Sequence, residues 1–301
     1  MRRLEHLLGV SRAELLDLAN HAGRHYSPFL KSPRPRPFAH PAGTAKLRVI
    51  DNPSTEMKRI QSLIKERLLN PLDLPGNVLG GIKGRSVLQN VAIHRNSRTL
   101  LKVDVKRYFP NITNEHVYDI WSKLLGCSPR ISSMLTRLTT FQRHLPQGSP
   151  TSTILANLVL CSCDAPIRSE CSRLDLQYSS WVDDLAFSGE DPRPIITTVV
   201  STLRTKGLQI SRKKLEIAGP RSKKVLTGVA LGASLNVPAN RLGRIRSGIH
   251  KLRTNAVSPT ELPRYVQGLR GRITHLGSIN AKKAEQFKKE LETVLQSYPD
   301  L

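Results

Sequence analysis

Three aspartates define the chemistry this sequence can do. Asp183 and Asp184 stand side by side in YSSWVDDLAFSG (178–189), between apolar runs that read as the arms of a hairpin. Asp104 ends a third apolar run in LLKVDVKRYFP (100–110). An isolated Asp-Asp is ordinarily only a turn, because aspartate tolerates left-handed geometry and bonds its own backbone. A third acid at a strand end changes that reading, since like charges held close in a partly buried place repel unless a cation sits among them. With both strands in one sheet, Asp104 and Asp183 are expected to hold two Mg²⁺ ions about 4 Å apart, a pair suited to in-line displacement at phosphorus.

Charge indicates what such a centre meets. The 301 residues carry 47 Lys and Arg against 23 Asp and Glu, a formal net charge of +24. Solubility needs far less, and a chain holds such an excess mainly to meet a polyanion, of which nucleic acid is the usual one. No run of about 18 apolar residues is present to span a membrane. Glu5, His6 and Glu14 interrupt any leader core in MRRLEHLLGVSRAELL, which reads instead as a pair of amphipathic helices with Ser11 as an N-cap. Cys161, Cys163 and Cys171 lie on one predicted helical stretch without zinc spacing or a nearby His, as buried thiols of a reducing cytoplasm do. A cytoplasmic protein without membrane contact is expected.

The elements that must position the acids follow from periodicity. Residues 31–44, KSPRPRPFAHPAGT, read as an extended linker between the N-terminal helices and the body. A strand is expected over 47–50, a helix over 54–69, and a short helix after the glycine-rich turn in GNVLGGIKGRSVLQNVAIH. A buried strand over 100–109, two helices within 113–140 broken near Gly126 and Pro129, and one long helix over 150–173 come next. The hairpin, a helix near 194–206 and two short strands around 225–237 precede a basic, all-helical end. The order fits an α+β fold with helices packed on an antiparallel sheet.

Around the acids the wording resembles a known family. LKVDVKRYFPNI, LPQGSPTSTILANLVL, YSSWVDDLAFSG, GLQISRKKLEIAG and VLTGVALG stand in the order and spacing of reverse transcriptase palm motifs. LRVIDNPSTEMKRIQSLIKERLLNPL resembles the finger segment before them, and IKGRSVLQNVAIH and the Leu226-Thr227-Gly228 step resemble retron reverse transcriptases in particular. The resemblance covers about residues 45 to 280 and implies a right-hand polymerase of fingers, palm and helical thumb. It divides the chain into N-terminal helices and linker (1–44), interleaved fingers and palm (45–237) and a basic thumb (238–301). Asp104 and Asp183 would be the main metal ligands, helped by the Val105 carbonyl, with Asp184 supporting the second ion or the primer end. Phe109 would exclude a 2′-hydroxyl, Gln147 and Gly148 would line the nucleotide pocket, Arg48 would neutralise the triphosphate, and Lys214 would donate a proton to pyrophosphate. Asn90 and His94 match an Asn-Ala-x-x-His signature taken here as RNA-binding, although Val91 replaces its first Ala. Arg264, Arg270 and Arg272 recur at helix-like intervals in a thumb expected to grip an RNA–DNA duplex by its phosphates and minor groove.

The resemblance further implies an RNA-directed DNA polymerase that copies a cognate structured noncoding RNA from deoxynucleoside triphosphates. Priming from a 2′-hydroxyl of that RNA, a branched RNA–DNA product and antiphage defence with a separate effector protein are implied with it. The departures are Trp181-Val182, where the family has Tyr-Ala, and Leu226 for Val; none removes a metal ligand. The alternatives are a group II intron or diversity-generating reverse transcriptase, or a silent RNA-binding scaffold. The absence of a maturase or endonuclease extension is expected to disfavour the first, Gln147-Gly148-Ser149 the second, and the intact acids the last. GIKGRS lacks the Gly-Lys-Ser/Thr order of a phosphate loop.

Overall fold

The computed structural model describes residues 1–31 and 47–298, so the proline-rich linker, apart from Lys31, lies outside the described residues. Two compact units divide the chain, one formed by residues 1–93 and 97–217, the other by 94–96 and the chain from 218 onward. The boundary expected at 237–238 falls inside the second unit.

The first unit opens with α1 (Arg2–Leu8) and α2 (Arg12–Asn20), and the Ser11 hydroxyl caps α2 by accepting from the Glu14 N–H at 3.2 Å. Strands β1 (Tyr26–Lys31) and β2 (Arg48–Pro53) pair antiparallel, Lys31 opposite Arg48. Next come α3 (Thr55–Ile64), which continues as a π turn to Leu69, and α4 (Val87–Ile93). Strand β3 (Thr99–Asp104) stops five residues short of the expected 109. Arg107 takes a left-handed φ of 48°, and α5 (Tyr108–Asn111) begins, with the Tyr108 hydroxyl donating to the Ala156 carbonyl at 2.7 Å. Helices α6 (Asn114–Asp119, with a π turn to Leu124) and α7 (Pro129–Thr139) break where Gly126 and Pro129 indicate.

The expected helix over 150–173 is two, α8 (Ser152–Cys161) and α9 (Ala165–Arg173). Pro166 is the reason: it has no N–H to donate and its ring would clash with the carbonyl four residues back, so it is accepted only in a first turn. Strands β4 (Gln177–Trp181) and β5 (Asp184–Gly189) form the hairpin, followed by α10 (Ile195–Arg204) and β6 (Glu216–Ala218). The four-stranded sheet has the order β4-β5-β3-β6, antiparallel where β5 meets both β3 and β4.

Period-two alternation gives this sheet two characters. Leu101, Val103, Tyr178, Leu185 and Phe187 share one face and enter the unit's hydrophobic core with the inner residues of α8, α9 and α10. Tyr178 and Phe187, directly opposite, stack with centroids 4.9 Å apart. The other face carries Lys102, Asp104, Trp181 and Asp184.

The second unit contains β7 (Lys224–Leu226) and β8 (Val229–Leu231), then α11 (Ala239–Arg253), α12 (Leu262–Gly277) and α13 (Ala281–Leu295). Leu242, Ile245, Ile249 and Leu252 meet Val266, Leu269, Ile273 and Leu276 in a core separate from that of the first unit. The three-and-four spacing that buries one stripe leaves the basic residues outward.

Candidate active site

Asp104 and Asp184 are directly opposite each other in the β3–β5 ladder, and Trp181 opposite Asp184 closes the hairpin over Val182 and Asp183. Asp104 is buried, Asp183 half-buried and Asp184 exposed. The Val105 N–H donates to the Asp183 carbonyl at 2.9 Å, which fastens the hairpin turn to the end of β3 whatever side chain residue 183 carries. Lys214 Nζ donates to Asp104 Oδ2 at 2.5 Å. The acids therefore sit on one rim with a lysine facing them.

The turn is tight and strained. Val182 has φ 60°, a left-handed conformation unfavourable for a β-branched residue, and such strain persists only where the surroundings enforce it. The enforcing element is Asn77–Gly80, which runs beside β4: the Ser180 N–H donates to the Asn77 carbonyl at 2.8 Å, and the Leu79 N–H to the Ser180 carbonyl at 2.9 Å. Arg85, in the GIKGRS stretch, binds the carbonyls of Leu74, Pro75 and Val78 and so staples this segment from the other end. Gly80 reaches the turn itself, since a Cβ there would lie 2.6 Å from Val182 N. Asn157 of α8 holds the Gly80 carbonyl at 2.8 Å.

Around Arg48, Gln147 and Gly148, β2 and the loop after α7 are joined by a group that motif reading did not single out. The buried Asp51 carboxylate accepts from the Gln147 N–H at 3.1 Å and contacts His144 Nε2 at 3.2 Å, while the Asp51 N–H donates to the Gln147 carbonyl at 2.8 Å. Gly148, at φ 131°, passes so close that a Cβ would stand 3.0 Å from Ile50 Cγ2 and 3.1 Å from the Asp51 carbonyl. The latch thus fixes Gln147 and Gly148 against the strand that starts with Arg48. Phe109 is half-buried, edge-to-face with Tyr108 at 6.2 Å. Asp51→Ala is expected to raise KM for deoxynucleotide about tenfold with a smaller loss in kcat, because the half-buried Gln147 N–H loses its carboxylate acceptor and the loop carrying Gln147 and Gly148 loosens. Steady-state kinetics at fixed template checks it; equal losses in kcat and kcat/KM would assign Asp51 another role.

The carboxylates perturb one another. Burial and the charge of Asp104 push the Asp183 carboxyl above the usual carboxylate range, against the pull of Lys214 and Arg48. Asp184 is pushed up to about 6 by desolvation and by the charges of Asp183 and Asp104. Lys214 is held charged by its hydrogen bond to Asp104.

Folded Asp184 takes up a proton more readily than an unfolded aspartate, which titrates near about 3.9. In metal-free protein its ionisation therefore costs stability progressively as pH rises from about 4 through 6. Thermal melts should show Mg²⁺ raising Tm by about 2–4 °C at pH 7.5 and by clearly less at pH 5, with Asp184→Asn shrinking the difference. A Mg²⁺ shift equal at both pH values would show that these acids are not where the ion acts.

A metal fits the donor set, which is made of hard oxygens. Asp104 and Asp184 are in register, Asp183 is next to Asp184 in the turn, and the Val105 carbonyl accepts no hydrogen bond among the described residues. The acids do not converge into a ready-made cluster, since no three acidic, His or Cys side chains do so among the described residues.

The residues expected to touch RNA are placed differently from one another. Asn90 is buried and accepts from the Ser179 hydroxyl at 2.7 Å, and His94 is fully buried, with desolvation lowering its pKa to about 4. Neither side chain is on the surface, so direct contact with RNA is not what their burial offers; Asn90 braces β4. On α12, Arg264 and Arg270 are exposed, while Arg272 is half-buried beside Tyr265, its pKa lowered by desolvation. Six residues along a helix turn Arg270 about 120° from Arg264, so the three arginines flank a ridge and do not form one stripe.

The chain is similar to known proteins. The family model for reverse transcriptase (RNA-dependent DNA polymerase) matches residues 34–231, and the chain belongs to that family. It is an RNA-directed DNA polymerase by class, and the relatives it matches are of retron type. The chain is 28% identical over 257 residues to the retron Ec86 reverse transcriptase of Escherichia coli, covering 84% of this chain and 78% of that one. Against the retron Se72 reverse transcriptase of Salmonella heidelberg it is 28% identical over 193 residues, covering 61% of this chain and about half, 51%, of the relative. Among solved structures, telomerase from Candida albicans in complex with a fragment of telomeric RNA aligns at a TM-score of 0.49 and 10% identity, covering 94% of this chain and 59% of that one. No helix among the described residues is long and apolar enough to cross a membrane.

Proposed function

We propose that this protein copies a cognate structured noncoding RNA into single-stranded DNA, starting from a 2′-hydroxyl of that RNA, as part of a retron defence system with a separate effector protein. The observation that carries the catalytic part is Asp104 in register with Asp184, the Asp183 turn fastened to Val105. The retron assignment is supported by the similarity to retron reverse transcriptases, and 2′-hydroxyl priming follows from the retron resemblance of the motifs. Asp104, Asp183 and the Val105 carbonyl would hold two Mg²⁺ ions, with Asp184 supporting the second ion or the primer end. Bound there, the ions supply Lewis-acid stabilisation of charge at the reacting phosphorus. Arg48 neutralises the incoming triphosphate, and Gln147 and Gly148, held by Asp51, shape the pocket around the deoxynucleotide. Phe109 closes the space that a ribose 2′-hydroxyl would need. Lys214, kept protonated beside Asp104, gives its proton to the departing pyrophosphate. Arg264 and Arg270 contact duplex phosphates.

The test is a nucleic-acid gel from cells expressing the gene with its native upstream region, run with and without RNase and debranching enzyme. A discrete DNA that shifts on both treatments is expected. DNA that ignores debranching would refute 2′-hydroxyl priming. RNA that co-purifies without any DNA would turn the reading to a silent scaffold.

A further inference from the structure

A cavity of about 850 Å³ beside the acids is lined by Asp104 and by six cations, Lys106, Arg107, Arg204, Arg212, Lys213 and Lys214. Lys214 is paired with Asp104, whereas the other five make no ion pair among the described residues. Arg204 stands in the last turn of α10, where the helix dipole already favours a positive charge. Lys106, Arg107, Arg212 and Lys213 have no such structural reason to gather. The ordinary remedy for five unneutralised cations around one hollow is an anion.

The lining residues come from two short segments, 104–107 and 200–214, as suits a small anion. The cavity is continuous with Asp104 and with Lys214, the group placed above at the leaving phosphate. From this geometry we infer that the cavity receives inorganic pyrophosphate as it leaves, and that Arg204, Arg212 and Lys213 hold the anion. The inference rests on the catalytic reading of Asp104 and Lys214, and it adds a product site which that reading does not require.

The same side chains would favour the reverse reaction, in which pyrophosphate attacks the primer-terminal phosphodiester, regenerates a deoxynucleoside triphosphate and leaves the primer one nucleotide shorter. Two measurements on the full chain test the idea. Calorimetric titration of Mg²⁺-pyrophosphate into wild type and into Arg204→Gln/Arg212→Gln needs no turnover, and the double variant is expected to bind about tenfold more weakly. In primer extension on an RNA template, the pyrophosphate concentration that halves synthesis should rise by a similar factor, while template affinity stays within about twofold. Equal pyrophosphate affinity in wild type and variant overturns the inference. So does a variant that loses template affinity but keeps its sensitivity to pyrophosphate, which would make the cavity a nucleic-acid phosphate site. Wild type that binds pyrophosphate through these arginines but extends no primer would refute the catalytic reading while leaving the anion site standing.

Discussion

Asp183→Asn is expected to lower RNA-templated DNA synthesis by about 10³-fold or more, with template affinity unchanged within about threefold. The two halves of that expectation come from different atoms. The side chain supplies an anionic oxygen at the rim where Asp104 and Asp184 meet, and an amide of the same shape cannot replace its charge toward a divalent ion. The backbone carbonyl of the same residue carries the structural duty, accepting from the Val105 N–H, and asparagine keeps it. The substitution also removes a charge that Asp104 and burial already disfavour, so the melting temperature of the metal-free variant should not fall. Single-turnover extension with saturating deoxynucleotide, beside filter binding of the same template, separates the outcomes. Synthesis surviving within tenfold of wild type would remove Asp183 from the catalytic group. Loss of template binding together with synthesis would assign the residue to the fold.

The acids were legible because each ends or follows an apolar run, a local pattern. What escaped was set by distance along the chain or by competition within a helix. Asp51 and His144 are 93 residues apart and meet only because β2 lies against the loop that follows α7; nothing local in VIDNP or RHLPQ announces that pairing. The helix expected over 150–173 keeps its apolar spacing on both sides of Pro166, so periodicity alone hid the break that proline imposes. Strand β1 was missed because YSPFLK buries only Tyr26 and so shows no alternation. The arginines of α12 have a sequence rhythm, yet their angular positions place Arg272 half inside the unit. Asn90 and His94 carried a signature without a burial pattern that would have exposed them as interior residues.

Gly80 shows how far such hidden positioning reaches, and Gly80→Ala is expected to reduce synthesis at least about tenfold while costing roughly 1–3 kcal/mol of stability. In sequence it belongs to GNVLGGIKG and looks like any flexible turn. In the fold it is the contact between the Asn77–Gly80 segment and the turn that bears Asp183. A methyl group at that position would lie 2.6 Å from Val182 N and 2.7 Å from the Trp181 carbonyl carbon. Both obstacles are backbone atoms, so no rotamer change relieves the clash and the hairpin turn itself must shift. Val182 is already at φ 60°, which leaves that turn little conformational room. Any shift moves Asp183 relative to Asp104, and a displacement of about 1 Å at a reacting centre is enough to cost orders of magnitude in rate. Gly23→Ala is the control, since a Cβ there meets nothing within 4 Å. Thermal melts and single-turnover rates on both variants decide the matter. A Gly80→Ala enzyme with wild-type rate and a lowered melting temperature would show that the segment supports the fold without aligning the acids.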